Sequence, residues 1–593
     1  MNDASVQNER PGPARGRGKR ILDPRRGDME NDHSATKQRS LLSIFGSLLA
    51  EISLPKLLFA WIVSILLPAA LLGLAPLVLT AWIGKSWIRV TEATGAGIVL
   101  VVVVSLSVAW LGWRPLFRMV EKNFWSLNAL AVQPGYAFWR EALRHLIERS
   151  FRGRTGAELA RLRAGSCAAA GLLLFGVAGA VALAAWPLTR WAGSVADLMA
   201  PSALVVWTIA NAILVMSAYL AVGALVWGFA EAAGDQPLDL EGFDQPTGGV
   251  RVWRIAHLSD VHVVGERYGF RIESGRAGPR GNDRFVTAMD RLAALHASEP
   301  LDLVLMSGDM TDAGLSAEWA EFLDVVAAYP DLSDRMLILP GNHDVNIVDR
   351  ANPARLDLPF SPVKTLRKMR ALSAIAAIAG DRVHVSRLDG PALGPVLADA
   401  LEPRRREMEE FADTGGMGRS NRLARLWSEC FPLIFPPAEE DGVGVALLDS
   451  NADTNFSFTN ALGMIAAEQA RRLTASLDAY PKARWIIALH HHLAEYPAPV
   501  EAFSERIGTA LINGAWFLRV LRPYAARLLV MHGHRHIDWV GGCGKLKLIS
   551  APSPVMARPD EATHFHVHSL AAGPDGSIRL FAPQRVDLDF ITG

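Results

Sequence analysis

The chain has 593 residues, enough for several domains, and its 60 Lys plus Arg balance 60 Asp plus Glu, so the formal net charge is zero. That excludes a globally basic nucleic-acid binder, and no nucleic-acid partner is expected, although a local basic patch remains compatible. Three cysteines, Cys167, Cys430 and Cys543, supply neither a disulfide framework nor a Cys-rich zinc site, and point to a reducing compartment.

Hydrophobic residues make up 50% of the chain and charged ones 20%, less charge than the ~25% of an average soluble protein. Apolar residues must therefore be concentrated somewhere. Residues 1–56 are polar, with Arg15, Arg17, Lys19, Arg20, Arg25 and Arg26 close together. They read as a basic, disordered tail, solvated or drawn to anionic lipid heads. Four runs then contain no Asp, Glu, Lys or Arg: 57–84, 93–113, 164–189 and 198–230. Each reaches the roughly 20 residues that span a bilayer as a helix, and none shows the polar face of a soluble core helix. Pro68 and Pro76 lie in the first run, where neighbouring helices tolerate a kink. The apolar region starts too late for a cleaved signal peptide. The tail holds ten Lys or Arg, loop 85–92 two, loop 114–163 ten and loop 190–197 one. This alternation places tail and long loop inside, and an even span count places everything after 230 in the cytoplasm, below a bacterial-type inner membrane. Uncharged spans read as an anchor rather than a transporter.

Residues 231–249 are acidic and rich in Gly and Pro, a linker composition. From residue 250 to 593 the pattern is that of an α/β domain. Strands are predicted over 251–258, 301–306, 336–339, 443–450, 486–489 and 528–530, and helices over 283–297 and 316–328. An insertion over about 358–444 reads as helical, with helices near 363–379 and 399–412. Its apolar stretch Phe431 to Pro436 reads as packed on the domain, with a lipid- or substrate-facing edge as the alternative.

Five predicted strands end in metal-type residues: Asp260-Val261-His262, Gly308-Asp309-Met310-Thr311-Asp312, Gly341-Asn342-His343-Asp344, His490-His491-His492 and Gly533-His534-Arg535-His536. In open α/β sheets that edge is where ligands bind. Asp, Asn and His suit Fe, Mn or Zn rather than a soft thiolate metal. Two such cations a few ångströms apart activate water and stabilise an in-line phosphoryl displacement. His257 reads as a packed histidine. His564, His566 and His568 read as the wet face of a late strand rather than a metal strip, because no carboxylate accompanies them. Asp312 reads either as an acid backing the ligands or as a helix N-cap.

Taken together, and in this order, the five motifs resemble the calcineurin-like metallophosphoesterase family over about Val252 to Ser553. The pattern is most similar to the class III phosphodiesterases that cleave cyclic nucleotides or glycerophosphodiesters. The resemblance implies a four-layer α/β/β/α sandwich holding two divalent or trivalent cations (Mn, Fe or Zn). It implies Asp260, His262, Asp309 and His536 around one ion, and Asp309, Asn342, His490 and His534 around the other. It further implies that His343 contacts the phosphate and protonates the leaving oxygen, with Asp344 orienting His343. The family usually has His-His-Pro where this chain has three histidines, so the ligand is His490 or, one residue on, His491. The expected function is a membrane-anchored phosphodiesterase acting on a nucleotide or a lipid headgroup beside membrane lipid. A phosphomonoesterase or lipid-pyrophosphate hydrolase, and a non-catalytic sensor of a phosphorylated ligand, are the alternatives. The oligomeric state has no sequence signature here.

Overall fold

The computed structural model describes residues 21–30, 66–91, 132–150, 156–245, 250–265, 281–348, 361–388, 392–455, 457–497, 511–556 and 562–588, with isolated positions at 62, 103, 107 and 357. The chain divides into two units, one comprising Met1–Ser53, Asp235–Ala498 and Gly508–Gly593, the other Leu54–Gly234 and Pro499–Ile507.

In the second unit, three helices are long and apolar enough to cross a membrane: Leu67–Lys85, Glu158–Leu188 and Pro201–Ala232. They correspond to the first, third and fourth apolar runs; the run 93–113 lies almost wholly outside the described residues. Small residues let these helices approach closely. A Cβ on Gly171 would meet the Ala224 carbonyl oxygen at 2.6 Å, and one on Gly228 would meet that of Cys167 at 2.8 Å, the packing that serves helices lacking a hydrophobic drive between them. Their outward side chains are apolar, Leu79, Ile83, Val222 and Val226 among them. The amphipathic helix Gln133–Ser150 adds Arg140, whose guanidinium lies 3.0 Å from Glu231.

Among the described residues of the first unit, the chain forms β1 (Leu238–Asp239), β2 (Val252–Leu258), β3 (Leu303–Met306), β4 (Met336–Ile338), β5 (His384–Ser386), β6 (Leu393–Val396), β7 (Leu433–Phe435), β8 (Val443–Leu447), β9 (Arg484–Ala488), β10 (Leu528–His532), β11 (Trp539–Cys543), β12 (Leu546–Ser550), β13 (His564–Ala572), β14 (Ile578–Leu580) and β15 (Gln584–Asp587). They build two mixed sheets. The larger has nine strands in the order β1-β11-β12-β10-β9-β8-β7-β5-β6; the smaller has six, β14-β13-β2-β3-β4, with β15 beside β13. Side chains alternate across a strand, so the larger sheet has two apolar faces. Val445, Leu447, Ile486, Ala488, Leu529 and Met531 share a core with the smaller sheet and with helices Gly281–Ser298, Ser316–Ala327 and Pro362–Ala379. Ala446, Leu448, Trp485, Ile487, Leu528 and Val530 pack instead with helices Ala467–Ala479 and Gly514–Leu521. Parallel pairs β2–β3, β3–β4, β8–β9 and β9–β10 set the carboxyl ends of both sheets' central strands on one edge.

Two expectations need correction. The insertion is not wholly helical: β5, β6 and β7 extend the large sheet, and Phe431, Leu433 and Ile434 are buried in the domain. These strands have three or four residues each, too short for a periodicity signal. Nor does the expectation of an unstructured tail hold for residues 21–30, which fold onto the α/β domain. Ile21 joins its core, and the Leu22 amide donates to Ser373 Oγ at 2.8 Å. The guanidinium of Arg370, 4% exposed, donates to both carboxylate oxygens of Asp28 (2.6 and 2.7 Å), to Glu30 (2.6 Å) and to the Gly314 carbonyl (2.9 Å). A buried arginine needs such partners.

Candidate metal centre

The candidate ligands leave their strands within a few residues of the strand ends, on tight loops. Among the described residues, only five non-glycine positions have positive φ: Asp260 (58°), His262 (43°), Asp309 (54°), His534 (78°) and His536 (53°). All five are residues singled out from the motifs. Asp and His tolerate this region better than most residues, and such strain persists where surrounding structure holds it at a functional site.

Two groups of side chains meet across Asp309. On one side, His536 Nε2 lies 3.2 Å from Asp260 Oδ1 and 3.4 Å from His262 Nε2. His262 Nε2 is 3.8 Å from Asp309 Oδ2, and its Nδ1 is 3.6 Å from Asp312 Oδ1. On the other side, His490 Nε2 is 3.2 Å from the same Asp309 oxygen and 3.1 Å from Asn342 Oδ1. His534 Nδ1 is 3.0 Å from that Asn342 oxygen and 3.2 Å from His490 Nε2. Asp309 Oδ2 thus faces His262 and His490 alike, while its Oδ1 accepts from the His343 amide at 2.8 Å.

The orientation of these groups is set from behind. His490 Nδ1 points at the Ser307 carbonyl, 2.8 Å away, so it carries the proton and Nε2 is turned to the site. Asn342 donates its amide NH2 to Asn460 Oδ1 at 3.1 Å, which aims its carbonyl oxygen inward. Asn346 binds the Asn460 carbonyl at 2.7 Å and fixes that loop. Asn460 carries no spacing signal that sequence reasoning uses. Of the two open histidines, His490 enters the cluster. His491 turns its Nδ1 to Ser450 Oγ at 2.9 Å, as neighbours on an extended chain must face opposite ways.

The expected pairing of Asp344 with His343 is not what the structure has. Asp344 turns inward and accepts from the Gly341 amide (2.8 Å), the Thr311 amide (2.9 Å) and the Thr311 hydroxyl (2.7 Å). It ties the loop after β3 to the loop after β4. Burial, then the Asp309 carboxylate, push its own acid up to about 7. His343 is held instead by Nδ1 on the Asp312 carbonyl at 2.7 Å, half-buried at the mouth of the site.

The arrangement demands positive charge. Asp260 Oδ1 is buried without a hydrogen-bond partner. Burial alone would raise the Asp260 acid, yet the His536 imidazole beside it holds it below the ordinary carboxylate range. Burial depresses His490, but Asp309 outweighs that and holds it up to about 9. In each case a bound proton meets a need that a divalent cation meets better, since Asp309 Oδ2, Asn342 Oδ1 and His490 Nε2 otherwise confront one another with lone pairs. The donor set of carboxylate, amide oxygen and imidazole fits borderline ions such as Zn, Fe or Mn.

Residues 254–538 match the family described as calcineurin-like phosphoesterase. Among curated proteins, none matches the chain. Similar solved structures include a dimetal phosphatase from Danio rerio, with 13% identity and a TM-score of 0.32, over 57% of this chain and 99% of that one. A purple acid phosphatase from yellow lupin (Lupinus luteus) seeds has 12% identity and a TM-score of 0.28, over 59% of this chain and 56% of that one. For an NAD nucleotidase from Haemophilus influenzae the figures are 10% and 0.28, over 57% and 56%. The chain therefore spans little more than half the length of the last two. The segment 254–538 that matches the calcineurin-like phosphoesterase family contains the paired clusters of metal-type residues around Asp309 and the central strands of both mixed sheets.

Proposed function

We propose that the chain is a membrane-anchored, metal-dependent phosphodiesterase whose domain, residues 250–593, works at the cytoplasmic face of a bacterial-type inner membrane. The observation that carries the reading is the convergence of acceptor groups on Asp309 Oδ2 from both sides. Asp260, His262, Asp309 and His536 would hold one cation, and Asp309, Asn342, His490 and His534 the other. Two divalent ions held there supply Lewis acidity and an activated water for in-line attack on phosphorus. The protein's own groups do the rest. Asp309 keeps both ion positions in register. His343, with Nδ1 committed to the Asp312 carbonyl, offers Nε2 to a phosphate oxygen and, as imidazolium, a proton to the leaving oxygen. Asp344 acts by fixing the two loops that carry Asp309 and His343. The Gly-Asn-His-Asp and Gly-His-x-His motifs resemble those of class III phosphodiesterases, which favours a diester in a nucleotide or lipid headgroup.

The test is a panel with purified full-length protein and Mn²⁺. Bis-p-nitrophenyl phosphate should be cleaved faster than p-nitrophenyl phosphate, and EDTA should stop both. The reverse preference moves the reading to a monoesterase. Ligand binding with no turnover of any ester supports a sensor.

Residues 21–30 and the domain after 235 belong to one folded unit, so the chain between them must cross a bilayer an even number of times. Three helices qualify as spans, and the uncharged sequence run 93–113 would bring the number to four. With a membrane-impermeant thiol reagent on intact cells, Ser194→Cys should label from outside while Ser34→Cys and Ser577→Cys stay dark. Labelling of Ser34→Cys from outside would overturn this topology.

A further inference from the structure

The three histidines set aside in sequence do have a carboxylate, and it comes from the loop that carries two candidate metal ligands. His564, His566 and His568 alternate along β13 and share one face. Asp538 lies 28 residues before His566, two past His536, and turns its Oδ2 onto that face. The oxygen is 3.0 Å from His564 Nε2 and 2.9 Å from His566 Nε2. The three ligand atoms lie within 4.8 Å of one another. The two rings stand nearly perpendicular, 84° apart with centroids at 5.1 Å, so both nitrogens reach one point without stacking.

With both imidazoles neutral, polar atoms are left unmet. His564 Nδ1 faces the Ala562 carbonyl at 3.3 Å, a backbone oxygen that can only accept. With Nδ1–H directed there, a neutral His564 aims a bare Nε2 lone pair at a carboxylate, which calls for a cation, either a proton or a metal ion. A neutral His566 that donates Nε2–H to Asp538 leaves Nδ1 as an acceptor, and that atom is buried with no partner. A metal-bound histidine commonly turns its other ring N–H to a backbone carbonyl, as His564 does. Two imidazoles and one carboxylate, with Asp538 half in solvent to admit a water, form a three-protein-ligand set open at the fourth position.

We propose that Asp538, His564 and His566 form a third cation site, distinct from the pair around Asp309, which takes a borderline divalent ion of the zinc class. Its place suggests a bracing role. Asp538 sits on the loop that carries His534 and His536, while His566 pairs in register with His257 on β2, the strand that leads into Asp260. A cation here clamps that loop to the strand beside the catalytic edge.

The experiment loads full-length protein with Zn²⁺, removes excess by gel filtration and measures zinc per chain by mass spectrometry. Wild type should retain about three ions, His566→Ala and the surface variant Asp538→Ala about two, and Asp309→Asn combined with Asp538→Ala fewer still. Using both a buried and a surface substitution separates loss of the site from misfolding. Co²⁺ substitution gives a second readout, since the wild-type spectrum should carry a component that Asp538→Ala lacks. Equal zinc in wild type and both single variants, whether two ions or three, overturns the proposal and leaves an imidazolium–carboxylate pair in its place. That result would not touch the dinuclear centre, whose own failure would show as zinc content unchanged by Asp309→Asn.

Discussion

Asp309→Asn should lower hydrolysis by at least about 10³-fold, near 4 kcal/mol of transition-state stabilisation. The substitution keeps shape and keeps an oxygen for the His343 amide, which Asp309 Oδ1 binds at 2.8 Å. What it removes is the charge that faces His262 at 3.8 Å and His490 at 3.2 Å. Both ion positions depend on that charge, so affinity at both should fall together. In the metal-free protein Asp309 is the carboxylate that keeps His490 protonated, so EDTA-treated Asp309→Asn should melt somewhat below the treated wild type. The larger change should be in the rise on adding Mn²⁺, which should shrink sharply. A variant that is merely misfolded melts lower but keeps the wild-type rise with Mn²⁺. Hydrolysis within about tenfold of wild type would remove Asp309 from the centre of the account.

Gly341→Ala should cost at least about 10²-fold in turnover, although this glycine has no unusual backbone angle (φ −94°). Space is the reason. A Cβ at 341 would lie 2.1 Å from Asp309 Oδ1 and 2.2 Å from the Asp309 backbone nitrogen. Neither can yield, since Asp309 already holds a left-handed conformation at the end of β3. Overpacking of this kind typically destabilises by about 1–3 kcal/mol, and here the displaced atom belongs to the carboxylate proposed to serve both ions. Gly418→Ala serves as the control. A Cβ there meets nothing nearer than Arg422 Nη1 at 3.7 Å, so activity should be unchanged. The comparison is read in kcat from matched preparations, and equal kcat for both variants would show that the loop can shift without consequence.

How much of this was legible in advance follows from what is local. The strands that lead into Asp260, Asp309 and Asn342 show as short β-rich or apolar runs, and the ligands follow within a few residues, so pattern and chemistry sit side by side in the chain. The glycines of Gly-Asn-His-Asp and Gly-His-x-His are legible as motif members, but their reason is three-dimensional: a Cβ on Gly533 would strike Ser259 Oγ and Asp260 Oδ2. Asn460 orients Asn342 from 118 residues away, and Asp538 meets His564 and His566 from 26 and 28 residues away; neither leaves a trace in composition. The inward turn of Asp344 was hidden because adjacency to His343 suggested a partnership that the helical turn Asn342–Val345 does not make. Residues 21–30 were masked by their neighbours, since a window full of arginine reads as solvated whatever its three acidic residues do.

That docked decapeptide also sets a schedule for biosynthesis. Asp28 leaves the ribosome 342 residues before Arg370, which at typical elongation rates is roughly 20 to 70 s of waiting. Throughout that interval the chain between them is still being made, and Ile21 has no groove to enter. The α/β unit can close only after its own beginning has waited for the segment that holds Arg370. Starting translation at residue 235 would yield a body lacking its clasp, with the Arg370 cation facing an empty niche.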